Sequence, residues 1–449
     1  MFINNFLGTK QLPEQAQHIF RSFLLLSFVT SFLFNLSSTF YILYAIENIG
    51  FTLAAVMTSI MLLAQVFFDY PSGSLGDWIG QRWVLTIAVI SYSVGYFFLL
   101  IAQSVTSFLI IGFIFGFGNA QFSGALSSWL DSNYQSVALD VDTERKTYGF
   151  AMSRIATLDN IALSSAFLIG GALATVISRQ FVFFVQACFS LFVILVILTL
   201  VKDIKKKKAE SKKEDSLQNY ISFLKGGVSF LLSSKIAFFF IVGWALYNVT
   251  WLIWGSLILF PLYFGYSGSD SVASILRTLI FLIGIPIGIY NANASKRIKN
   301  DKFPFFIILQ LLLFFPGYVI LTTLIPPTNE LNIVGLIFTL ILQNSLVSFL
   351  FRLANILRQR IMVDLVPSEY RNAIYSLIPT IISLIGIPVL PIVGKIIEDF
   401  GITAGIAIAG GISLFGAILL FISIHLMNRK TRTAEIETMK QPISLTGVN

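Results

Sequence analysis

Two charged side chains stand deep inside apolar stretches of this sequence: Asp159, next to Asn160, and Arg277. A carboxylate in such a setting can hold a proton or pair with a cation, and a guanidinium can bind an anion. Both are costly in an apolar medium, so residues of this kind mark function by default. Amides and indoles recur in similar surroundings at Asn35, Asn119, Gln121, Asn248, Trp251, Trp254, Gln343 and Asn344. Trp251 and Trp254, three apart, share a helical face with Asn248 and Tyr247 nearby, a combination that suits an amphipathic ligand. Tryptophans serve equally well as interface or packing groups, and that reading stays open. Catalysis lacks its parts. The only histidines are His18 and His425, no P-loop or HExxH pattern occurs, and the single cysteine, Cys188, lies within an apolar run. We therefore expect no enzyme, no cofactor and no metal, but a protein that binds a small molecule and moves it.

The elements that must position these residues follow from composition. Of 449 residues, 56% are hydrophobic and only 12% charged, where a soluble domain carries roughly 25% charged. Apolar runs of about 20 residues account for the deficit, since a bilayer core of ~30 Å takes about that many per helix. Stretches such as Phe181 to Leu200 are apolar on every side, unlike the alternating strands of a membrane barrel. Twelve spans are predicted, at 20–46, 52–72, 83–103, 106–130, 148–177, 181–201, 236–264, 270–293, 303–325, 331–357, 373–397 and 401–427. The fold class is all-α and polytopic. No cleavable signal peptide is expected at the N-terminus.

Basic residues fall in alternate loops: Arg82; Arg145 and Lys146; Lys202 to Lys213; Lys296, Arg297, Lys299 and Lys302; Arg358, Arg360 and Arg371. Lys10 and Arg21 precede the first span, and Arg429, Lys430, Arg432 and Lys440 follow the last. The opposite loops offer Arg179 and Lys395 among acids such as Glu47, Asp270, Glu330, Glu398 and Asp399. That asymmetry places both termini in the cytoplasm of a cell-membrane protein. It also explains the net charge of +8 without nucleic acid as a partner. The expected partners are the lipid bilayer and a small-molecule substrate, and a monomer is expected.

A hydrophilic run from Lys202 to Asp215 divides the chain. Residues 1–201 form a predicted N-terminal six-helix bundle and 202–235 a cytoplasmic linker whose later part, Leu217 to Leu232, is amphipathic. A C-terminal six-helix bundle, 236–428, and a cytoplasmic polar tail, 429–449, complete the division. Faint echoes link the halves: Pro71-Ser72-Gly73 with Pro286-Ile287-Gly288, Arg82 with Arg297, and Thr143-Glu144-Arg145-Lys146 with Ser368-Glu369-Tyr370-Arg371. Repeated halves are the usual build of alternating-access carriers.

The segment Gly73-Ser74-Leu75-Gly76-Asp77-Trp78-Ile79-Gly80-Gln81-Arg82-Trp83-Val84-Leu85 resembles the signature loop between helices two and three of the major facilitator superfamily. Gly73, Leu75, Gly76, Asp77, Gly80, Arg82 and Leu85 match, while Trp78 and Gln81 replace two usual basic residues. Asp69-Tyr70-Pro71-Ser72 looks like the family's lead-in. Ser123-Gly124-Ala125-Leu126 with Trp129, and Val366 to Arg371, are similar to drug-efflux-like prokaryotic members. The resemblance implies a conformational latch of Gly73, Asp77, Gly80 and Arg82 with Asp131 at the end of helix four, favouring the outward-open state. In the family fold, helices five and eight meet across the two halves. Counting ~1.5 Å per residue puts Asp159 about 18 Å from one face and Arg277 about 11 Å from the other. The expectation is that they pair or nearly pair, and with Asp69 they are the candidates for coupling or gating.

The resemblance thus implies a secondary active carrier working by alternating access, with efflux of amphipathic, drug-like compounds as the leading reading and protons as the candidate coupling ion. An importer, a lipid or metabolite carrier, or a non-transporting receptor or scaffold are the alternatives. Helix four shows Gly112 and Phe113 where proton-coupled members carry an arginine, and helix five shows Gly170-Gly171 without the antiporter Gly-Pro signature. Coupling and direction both stay open on these grounds.

Overall fold

The computed structural model describes residues 2–138, 140–202 and 225–440. Twelve helices are long and apolar enough to cross a membrane, and no strand occurs among the described residues. They are α1 (Glu14–Asn35), α2 (Tyr41–Ile79), α3 (Gln81–Ile101), α4 (Val105–Ala138), α5 (Lys146–Val176), α6 (Arg179–Leu200), α7 (Lys235–Ser267), α8 (Asp270–Ser295), α9 (Phe303–Leu324), α10 (Ile333–Leu365), α11 (Ser368–Phe400) and α12 (Ile402–Lys440). Each helix satisfies its backbone hydrogen bonds within its own span, as lipid offers none. Residues 203–224, with most of the expected linker, lie outside the described residues; 225–233 is helical. The last helix runs to Lys440, well past the expected end at 427. Residues 429–440 contain neither glycine nor proline, so nothing local stops the helix.

Starts and stops have local causes. Ser104, Ser178, Ser234 and Asn332 each accept a backbone N–H two or three residues into the following helix, satisfying one of its orphan donors. The long α2 breaks at Gly50, whose φ of 77° and ψ of 168° are not helical. Residues 41–49 therefore finish the first crossing, and the chain turns at Gly50 into the second. This matches the two predicted spans on either side of residues 47–51.

Inside the first six spans, α1 packs on α5 and α6, α2 on α4, and α3 on α4 and α6; inside the last six, α12 packs on α7 and α9, and α8 on α10. Glycine allows the tightest of these approaches. A Cβ on Gly170 of α5 would sit 1.6 Å from the Leu36 carbonyl oxygen just beyond α1. The two sets of six meet along α2 with α11, α5 with α8, and α2 with α7. We call the end carrying the N-terminal helix Phe2–Leu7 and the close of α12 the inner end, and the opposite one outer.

Candidate transport site

A cavity of about 300 Å³ lies where α1, α2, α3, α4 and α7 converge. Its walls combine the aromatic rings of Phe34, Phe115 and Phe260 with the hydroxyls of Ser37, Ser38, Tyr41, Tyr92, Tyr96 and Ser256, and Asn119. No charged side chain lines it. Two departures from α-helical geometry open this space. Residues 36–40 form turns between α1 and α2, which puts Ser37 and Ser38 on the wall. In α7 the segment Trp254–Ile258 widens into a π-helix, presenting Gly255 and Ser256; such bulges are frequent at functional sites. Tyr92 and Tyr96, four apart on α3, face the same way, and the Tyr92 hydroxyl donates to Asn119 Oδ1.

The two mid-span charges do not meet. Asp159 Oδ2 accepts a hydrogen bond from Ser27 Oγ on α1 at 2.7 Å, and its Oδ1 has no partner. Arg277 lies instead among Phe281, Phe260 and Phe167, its guanidinium carbon 4.6, 5.7 and 5.8 Å from their ring centroids. Its Nε is buried without a partner. The expected pairing of Asp159 with Arg277 is thus absent. The packing register explains why: α8 meets α5 through Thr278 on the Ser164 carbonyl and Arg277 on Phe167, about two turns, or ~12 Å, from Asp159 along α5.

The halves are joined at the outer end. Arg179, opening α6, donates to Asp270 of α8 from Nε at 2.8 Å and from Nη2 at 3.0 Å, and to Glu47 from Nη1. Beside this, Thr39 and Ser274 hydroxyls lie 2.9 Å apart, and Ser271 Oγ donates to the Gly171 carbonyl. Across the other seam, Glu398 of α11 accepts from the backbone N–H and hydroxyl of Thr52, and Ser59 donates to the Ile387 carbonyl. These hydrogen bonds between the first six and last six spans lie at the outer end and at mid-membrane.

At the inner end, Asp131 accepts from Arg145 Nη1 at 2.9 Å and from Gln135, not from Arg82. The Arg82 guanidinium lies over the Trp83 ring, and its Nε has no partner. The expected Arg82–Asp131 pair is therefore not formed in this outer-closed arrangement. Arg145 displaces Arg82 because its left-handed backbone, φ 53°, starts α5 beside Asp131. Next to it, Asp142 accepts from the Tyr134 hydroxyl at 2.6 Å and from the backbone N–H groups of Tyr148 and Thr147. Burial works to raise its pKa, but these donors outweigh burial and hold the carboxyl below its ordinary range.

A Major Facilitator Superfamily model matches residues 23–387. The chain belongs to the major facilitator superfamily. It is 28% identical over 256 residues to an uncharacterized transporter of Buchnera aphidicola subsp. Schizaphis graminum (strain Sg), a match covering 54% of this chain and 59% of that protein. This chain thus spans about three fifths of the length of that curated relative. The fold is similar to the crystal structure of nucleoside transporter NupG, with a TM-score of 0.70 at 15% identity over 91% of this chain and 99% of that one. It is also similar to the POT family transporter PepTSo, with a TM-score of 0.66 at 14% identity over 93% and 99%. The family and the twelve apolar helices make this chain an integral membrane protein.

Within this superfamily fold, the residues singled out in the sequence scatter. Asn119 lines the cavity. Asn35 and Asn248 donate to carbonyls one turn back, Ser31 and Trp244. Trp251 and Trp254 pack into an aromatic cluster with Phe314, Phe315 and Tyr318, which is the packing reading of these indoles. Gln121 is buried, Gln343 faces the Tyr263 hydroxyl, and Asn344 borders a separate hollow between α8 and α10. Asp69 meets the Ser123 hydroxyl. Gly80, at φ 93°, makes the turn from α2 to α3; the side chain of Asp77 and the surroundings of Gly73 lie outside the described residues. Sequence reasoning missed the hydroxyl wall and the Arg179 cluster. The signal available for the latter was one arginine among acids on the outer side.

Proposed function

We propose that this transporter is a secondary carrier of one small, ring-bearing, polar solute, held in the hydroxyl-lined cavity and delivered by alternating access. The observation that carries the reading is the one-ended closure. The hydrogen bonds between the halves outside and at mid-membrane support reading this as the inward-facing state of a rocking pair. Basic loops at the inner end support a cytoplasmic inner side and cytoplasmic termini in the cell membrane. In this state the Arg82–Asp131 latch is parted, and re-forming it with Asp77 would accompany outward opening. A volume of about 300 Å³ is at the small end for ligand pockets, which favours a metabolite over a drug-sized compound. Nucleosides, the substrates named for NupG, are the first to try. Efflux of amphipathic compounds is a second reading, favoured by the aromatic walls. Asp159, bonded by one serine and no cation, is the proposed proton site.

The test is transport by proteoliposomes under an imposed pH gradient, with labelled nucleosides beside a panel of fluorescent organic cations, in wild type and Asp159→Asn. Nucleoside movement that follows the gradient, and loses that dependence in the variant, is expected. Movement of the cations alone would replace the metabolite reading with efflux. Unchanged pH-dependent transport by Asp159→Asn would remove Asp159 from coupling.

A further inference from the structure

Arg277 is an unneutralised cation in the middle of the molecule. No carboxylate among the described residues pairs with it, and its Nε is sealed without a hydrogen-bond partner. The three phenylalanine rings around it offset part of the burial cost by cation–π attraction. They leave the charge uncompensated, since rings accept no strong hydrogen bond. Other polar groups converge on it without satisfying it. The Tyr263 hydroxyl faces both Arg277 and Gln343, yet has no partner of hydrogen-bond geometry and is fully buried. Gln343 is buried too, and it opens the second π-helical segment, Gln343–Phe351 in α10.

This group adjoins the cavity through Phe260. Ser256 and Phe260 line the cavity, and Phe260 is also one wall of the Arg277 box. Ser256, Phe260 and Tyr263 recur at spacings of four and three, one face of α7 leading from the hydroxyl wall to the guanidinium. The two π-helical segments among the described residues thus lie close together, one beside the cavity and one beside the charge.

We propose that Arg277, with Tyr263 and Gln343, binds a single anionic group, a carboxylate or a phosphate ester, of the transported solute, while the ring-bearing body occupies the cavity. A guanidinium offers planar paired donors to such oxyanions. The phenol and the amide supply further donors beside the guanidinium. The inference rests on the cavity being the substrate site. It adds that, among ring-bearing solutes, one that carries an anionic group binds more tightly than its neutral counterpart.

Purified protein in detergent is titrated with 4-hydroxybenzoate, phenyl phosphate and the neutral isostere 4-hydroxybenzamide, reading binding by thermal shift. Wild type should bind the anions about 10- to 100-fold more tightly than the amide, the gain expected from charge-assisted hydrogen bonds. Arg277→Gln should lose that preference while still binding the amide, and Arg277→Lys should keep part of it. If wild type binds amide and anions alike, or if Arg277→Gln retains the anion preference, the charge assignment falls and the cavity reading survives. No binding of any of the three by wild type overturns both. A folded Arg277→Gln with an unchanged amide response separates loss of the site from loss of the fold.

Discussion

Replacing Arg179 by glutamine should release the outer gate. The guanidinium is held by two bonds to Asp270 and one to Glu47, with side-chain exposures of 11%, 9% and 47% respectively. Breaking a buried ion pair by removing one partner costs about 3–5 kcal/mol. Glu47 is half open to solvent, so part of that is screened, and about 2–3 kcal/mol is the figure for the closed state. The outward-open state, where the groups are solvated separately, loses almost none of it. At 1.4 kcal/mol per decade, the closed-to-open ratio should fall by about 30- to 150-fold. The assay uses a Cys188→Ser background carrying Ser274→Cys. Ser274 is fully buried in the closed gate, so an impermeant maleimide added outside reports only opening. Labelling should rise by that factor in Arg179→Gln, approaching saturation, and fall back when Arg179→Asp is combined with Asp270→Arg. Labelling as slow as in the parent would refute the idea that this cluster holds the halves together.

Two further outcomes follow from the same contacts. Gly171→Val should prevent outer closure by sterics, because even a Cβ there would lie 2.2 Å from Ser274 Oγ and 2.7 Å from the Asp270 carbonyl oxygen; transport should be lost while binding from outside remains, and wild-type turnover would count against the tight α5–α8 seam. Asp142→Asn should destabilise the start of α5 by about 1–2 kcal/mol at neutral pH through loss of charge-assisted bonds. The Asp142 carboxyl is depressed in the fold, so its contribution is whole above the ordinary aspartate value of about 3.9 and is lost as pH falls through the lower folded value. Thermal melts of wild type and variant should therefore converge in strong acid, and a gap that persists there would exclude the charge as its cause.

Much of the framework was legible along the chain. Twelve apolar runs, the glycines and aspartate of the α2–α3 loop, and the alternation of basic loops are one-dimensional signals. Each arises because lipid or water acts on consecutive residues. Individual polar side chains were harder to read. Asn119 proved to face the cavity, but Trp251 and Trp254, chemically better ligand groups, turned into the packing of α7 on α9. Helical spacing tells which residues share a face; it does not tell what that face meets.

The sequence by itself determined the class of solvent, the number of crossings and the superfamily, since these depend on hydrophobic length and a local motif. Only the tertiary structure decided which charges stay alone. Asp159 and Arg277 were level by counting from the two membrane faces, yet the α5–α8 register set by Ser164, Phe167 and Gly171 keeps them about two turns apart. Asp131 likewise took Arg145 over Arg82 because a left-handed turn brought α5 beside it. Pairing depends on how helices slide and tilt against one another, and that is fixed by close glycine contacts and buried ring packing between residues far apart in the chain.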